Sequence, residues 1–85
     1  MKLQLRFFAG VRETLGVSSE LVDVPAEVTT VGAVRNWLRQ RGGLWEQALA
    51  DGKPLRMAYD QVMTNDQALL NEGGEVAFFP PVTGG

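Results

Sequence analysis

The sequence predicts a small α+β domain of two layers, with one main helix lying on a mixed sheet. Three observations carry that prediction. Short segments alternating apolar and polar residues stand near both ends of the chain and between them. Only one stretch holds helical spacing for several turns, and it falls after the second strand-like segment. At 85 residues the chain has room for one core. A chain this short hides roughly 60–65% of its unfolded surface, so the layers must be compact.

The first segment, Lys2 to Phe8, puts Leu3, Leu5 and Phe7 on one face and Lys2, Gln4, Arg6 and Phe8 on the other, which predicts a half-buried strand. Ala9 to Gly16 has room for one or two helical turns, closed by Gly16. Glu20 to Val24 predicts a second strand ended by Pro25, with Leu21 and Val22 competing for the inner face. Thr29 or Thr30 then caps the main helix. Its apolar stripe is Val31, Val34, Leu38 and Trp37, with Arg35, Asn36, Arg39 and Gln40 outside, and Gly42-Gly43 stops it. Leu44-Trp45 and Ala48-Leu49 pair at helical spacing and predict a short second piece before Asp51-Gly52. Leu55 to Tyr59 and Val62 to Thr64 read as short strands around a turn at Asp60-Gln61. Asn71 to Glu75 is another turn, and Val76 to Phe79 a last strand halted by Pro80-Pro81. Trp37, Trp45, Leu38 and Leu70 are expected in the core. This element order is that of the ubiquitin-like β-grasp.

Composition excludes several classes of function. The chain has no Cys and no His, which removes disulfides, thiolate nucleophiles and the commonest general base and transition-metal ligand. A Ser–His–Asp hydrolase cannot be built from it. A net charge of −2 argues against nucleic-acid binding, which needs a basic excess. The cluster Arg35, Arg39 and Arg41 is expected to be a solvated face. No apolar run approaches a membrane span, and the N-terminus lacks the pattern of a signal peptide. A cytosolic protein with no bound cofactor is the expectation. Any catalysis it takes part in must draw its chemistry from a partner or from an unusual group.

The expected organisation is a domain over 1–81 followed by a flexible tail over 82–85. Of three Gly-Gly pairs, Gly42-Gly43 and Gly73-Gly74 suit a helix stop and a turn, while Gly84-Gly85 ends the chain. Ten glycines in 85 residues make that last pair a weak signal alone, and chain ends are often small and frayed. Its context strengthens it. Pro80-Pro81 lacks backbone donors and holds the chain extended, so the tail leaves as a stiff spike. Two glycines then form a tip thin enough for a narrow channel, with no Cβ to crowd attack at the last carbonyl. The terminal carboxylate is ionised at neutral pH and is a poor electrophile. Adenylation would activate it, and a sulfur donor would convert it to a thiocarboxylate, a soft nucleophile akin to a thiolate.

The closing run Glu75-Val76-Ala77-Phe78-Phe79-Pro80-Pro81-Val82-Thr83-Gly84-Gly85 resembles the end of the small subunit of molybdopterin synthase, and Phe7-Phe8-Ala9-Gly10-Val11-Arg12-Glu13 resembles that family's start. The resemblance covers essentially the whole chain, with specific ends and a generic middle. It implies a β-grasp sulfur carrier in molybdenum cofactor biosynthesis. A ubiquitin-activating-like enzyme, consuming ATP and Mg²⁺, would adenylate Gly85, with Gly84 beside it, and sulfur transfer would follow. The tail would enter the large synthase subunit, in an expected heterotetramer, and give its sulfur to cyclic pyranopterin monophosphate. Two transfers would build the dithiolene. The family commonly has Asp where Gly74 stands, a departure expected only to loosen the turn.

Outside the tip, Phe8 and Phe79 point away from Phe7 and Phe78. In a β-grasp the first and last strands are parallel neighbours, so the two rings should meet near the tail's root and form a docking patch. Coverage of one or both by the Ala9–Gly16 segment is the plainer alternative. Met63 would extend the patch or enter the core. Arg12 would pair with a partner's carboxylates or simply be solvated. Pro80, Pro81, Val82 and Thr83 complete the expected contact set. A carrier for thiamine or cysteine synthesis, or a modifier conjugated to proteins, would share the Gly-Gly end. A β-grasp binding module with no tail chemistry would not need it.

Overall fold

A computed structural model describes residues 1–81. The elements are β1 (Lys2–Phe7), α1 (Ala9–Leu15), β2 (Ser19–Asp23), α2 (Val31–Arg39), α3 (Gly43–Leu49), β3 (Arg56–Tyr59), β4 (Val62–Thr64) and β5 (Glu75–Phe79). The strands form one sheet in the order β2-β1-β5-β3-β4. Only β1 and β5 run parallel, and the other three pairings are antiparallel. Parallel neighbours need a long crossover, and here the helices and the β3–β4 hairpin lie between β1 and β5 in the chain. This is the expected α+β arrangement. Boundaries differ from the expectation by one residue at most, as where β1 stops at Phe7 and Phe8 becomes the residue preceding α1.

Alternation does what a period of two requires. Leu3, Leu5 and Phe7 of β1 and Val76 and Phe78 of β5 are buried in one cluster with Val31, Val34 and Leu38 of α2. Val22, not Leu21, takes the inner face of β2, and Leu21 is left exposed. Trp37 and Trp45, expected in the core, are half-buried at its margin, where the Trp45 ring stands edge-on to Phe7 at 5.6 Å. Thr30 caps α2, its hydroxyl accepting from the Ala33 N–H at 3.1 Å. The next two amides, of Val31 and Gly32, donate to the carbonyls of Ala68 and Asp66 at 3.0 and 2.9 Å. A Cβ on Gly32 would lie 2.7 Å from the Asp66 Cβ, so the helix can approach that segment only through glycine.

Gly42 and Gly43 do follow the end of α2 with φ of 76° and 53°, but Gly42 also starts α3 as its N-cap residue. The arginine cluster is solvated only in part, since Arg41 is exposed and Arg39 bonds at the surface, while all three guanidiniums are engaged by other elements. Arg35 is half-buried, and its guanidinium donates to the Leu49 carbonyl at 2.7 Å and to that of Ala50. The Leu49 carbonyl is one that the end of α3 leaves without an intrahelical partner, and the Ala50 carbonyl also accepts from the Lys53 amide at 2.9 Å. Arg39 grips Glu46 with two bonds of 3.0 and 2.9 Å and lies 2.7 Å from Asp51. Arg41 grips Glu20 at 3.0 and 2.7 Å and stacks over the Trp45 ring at 4.3 Å. Each guanidinium ties α2 or its end to α3 or β2.

Candidate functional site

The candidate site lies where β1, the turn into α1 and the end of β5 meet, beside Pro80 and Pro81. Phe7 is opposite Phe78 in the parallel register. Their rings stack in the core with centroids 6.3 Å apart, while Phe8 and Phe79 meet edge to face at 6.4 Å on the other side of the sheet. The Phe8 amide donates to the Phe78 carbonyl at 3.3 Å, and its own carbonyl accepts from Val11 and Arg12 at the start of α1. Ala9 turns the chain between strand and helix with φ of 50°, a left-handed value that costs a non-glycine residue about 1 kcal/mol. The turn leads the helix away from Phe8, which stays 44% exposed beside the half-buried Phe79.

Pro80 and Pro81 are half-buried as the chain leaves β5. Val82, Thr83, Gly84 and Gly85, and with them the expected tail over 82–85, lie outside the described residues. Met63 is 61% exposed and shares the outer sheet face with Phe79. It stands two strands away, opposite Ala58, which is itself opposite Ala77. Those two alanines leave the middle of the face flat between the aromatic pair and Met63. Arg12 is exposed on α1. Arg56, which the sequence reading passed over, is opposite Phe79 and puts a cation beside the pair. The signal that could have found it is the antiparallel pairing of β3 with β5, and β3 is too short to announce its neighbour.

The described residues gather no cluster of three His, Cys, Asp or Glu side chains able to hold a metal, and they bury no polar side chain. None of their helices is long and apolar enough to cross a membrane. What the described residues provide is an apolar face, Phe8 with Phe79, beside the point where the chain leaves β5.

Residues 5–85 match the ThiS family. The chain belongs to the ThiS family. Within it, the chain is 42% identical over 83 residues to the molybdopterin synthase sulfur carrier subunit of Escherichia coli (strain K12), a match spanning 98% of this chain and 99% of that one. It is also 35% identical over 92 residues to small archaeal modifier protein 3 of Haloferax volcanii, spanning the whole of both chains. Among solved structures, SAMP1 from Haloferax volcanii superposes with a TM-score of 0.75 at 26% identity over 100% of each chain. The complex of subunits 1 and 2 of the molybdopterin-converting factor from Helicobacter pylori superposes with a TM-score of 0.67 at 20% identity, again over 100% of each chain, a likeness of fold. The ubiquitin-like β-grasp of the ThiS family is thus the fold of this chain. The resemblance to the small subunit of molybdopterin synthase extends from the two end segments to nearly its full length.

Proposed function

We propose that this ThiS-family chain is the sulfur carrier subunit of a molybdopterin synthase. The observation that carries the reading is the end-to-end match to the Escherichia coli sulfur carrier subunit. In the proposed cycle an activating enzyme spends ATP, with Mg²⁺, to join the Gly85 carboxylate to AMP. A sulfur donor then displaces AMP and leaves a terminal thiocarboxylate. The tail enters the large synthase subunit, and its sulfur attacks cyclic pyranopterin monophosphate. The Gly85 carboxylate is regenerated by water, and a second loaded chain completes the dithiolene. The chain has no His or Cys, which fits a cycle whose acid–base groups come from the partners. Phe8, Phe79 and Met63 offer the apolar face on which a partner docks, Arg12 and Arg56 offer cations at its margin, and Pro80 and Pro81 carry Val82, Thr83 and Gly84 toward the channel. The setting is cytosolic.

Intact mass spectrometry tests the reading. The chain is incubated with ATP, Mg²⁺, a sulfur donor and its cognate activating enzyme. One terminal oxygen should be replaced by sulfur, and a Gly85 deletion should stay unmodified. An unchanged mass beside an active enzyme would sink the carrier reading and favour a binding module. The match to small archaeal modifier protein 3 supports a second reading, conjugation to protein amines. Its sign in the same assay would be heavier species resistant to thiol, joined through Gly85.

A further inference from the structure

Beside the tail's root, on the helical side of the sheet, lies a groove of about 240 Å³. Gly10 and Thr14, one turn apart on α1, line it from one side and Lys53 and Leu55 from the connection before β3, while Pro80 and Pro81 line it at the tail. Lys53 is the groove's only ionisable side chain, and it makes no ion pair among the described residues. We propose that this groove is a second docking site for the protein that encloses the tail, and that it receives an apolar side chain flanked by a carboxylate. The proposal rests on the carrier reading and adds to it. A protein that encloses residues 82–85 must come up to Pro81. The two prolines follow directly on Phe79, so its contact surface is continuous with both the Phe8–Phe79 face and the groove. The lining selects an apolar group, and the lone ammonium selects an acid. The chain as a whole carries a net charge of −2, so an acidic partner segment is directed to places where a cation stands unopposed, of which Lys53 is the one in this groove.

The test is calorimetric titration of the full chain with the large synthase subunit, comparing wild type, Gly10→Leu and Lys53→Glu. Gly10 lines the groove and a Cβ on it meets nothing within 4 Å, so a leucine can be introduced at the groove's wall without a clash. Lys53 is exposed, so its reversal leaves the core alone, and thermal melts of both variants confirm that they fold. Each variant should weaken binding about tenfold or more, and the loss from Lys53→Glu should shrink at high salt. Wild-type affinity in both variants, beside a wild type that binds and gains the thiocarboxylate, would overturn the groove alone. A wild type that neither binds nor gains sulfur would overturn the groove and the carrier reading together.

Discussion

Gly74 is buried, and a Cβ there would stand 1.9 Å from the Tyr59 hydroxyl oxygen and 2.5 Å from the ring carbon bearing it. That hydroxyl accepts from the Asn71 amide at 2.6 Å and donates to the Asn71 carbonyl at 3.2 Å. The tyrosine thus fills the volume a side chain at 74 would need and ties off the turn before β5. Far from merely loosening the turn, the glycine makes room for Tyr59, and the Asp common in the resembling family would have no space here. Gly74→Ala should lower the unfolding free energy by about 1–3 kcal/mol. Urea denaturation should show a smaller loss in a Tyr59→Ala background, where the space is already free. The sequence could not reveal this pairing, because Tyr59 reaches Gly74 only once β3 lies against β5. Phe8 and Phe79 were legible for the opposite reason. A period of two and one parallel neighbour are enough to place both rings on the same face.

The helices are held to one another and to β2 by arginine, and the bonds join residues distant in sequence. Arg41 reaches back 21 positions to Glu20, and Arg39 forward 7 to Glu46. Spacings within one helix cannot display such partners, which is why the cluster resembled a plain charged face. The caps were easier to read, since Thr30 and Gly16 act within a turn of themselves. The hydrogen bonds from Arg41 hold the Glu20 carboxyl below its ordinary 4.5, against an opposing push from burial. Those from Arg39 lower Glu46 in the same direction. A carboxyl depressed by folding contributes stability that is complete above its unfolded value and is lost as pH falls through the folded one. Glu20→Gln should therefore melt below wild type at pH 7, and the gap should close as the pH is taken well below 4.5. An equal gap at both ends of the pH range would mean that the pair contributes nothing through its charge.

At the scale of the molecule, residues on and just past β1 differ sharply in burial. Leu5 is fully buried in the core, whereas Phe8, just past the strand's end, is 44% exposed. Leu5→Ala should cost about 2–5 kcal/mol, a large share of the roughly 5–15 kcal/mol that holds a small domain folded. Phe8→Ala should leave the melting temperature within a few degrees of wild type and weaken binding to the large synthase subunit. Equal effects on stability would show that Phe8 belongs to the core and not to a docking face. The β-grasp was legible because element order and alternation suffice to name it. The neighbours of β3 were not, since four residues say little about what lies on either side. The strand order has one more consequence, for how the molecule is made. β5 lies in the middle of the sheet, between β1 and β3, yet it leaves the ribosome after the other four described strands. Until it emerges, β1–β2 and β3–β4 are two separate antiparallel pairs with a gap between them, and an isolated two-stranded pair is marginal in water. A nascent chain therefore has no stable partial sheet to wait in, and a product cut short before Glu75 cannot close its core. Passing into the folded state thus acts as a check on synthesis, because any copy that has folded already carries the strand from which the tail grows.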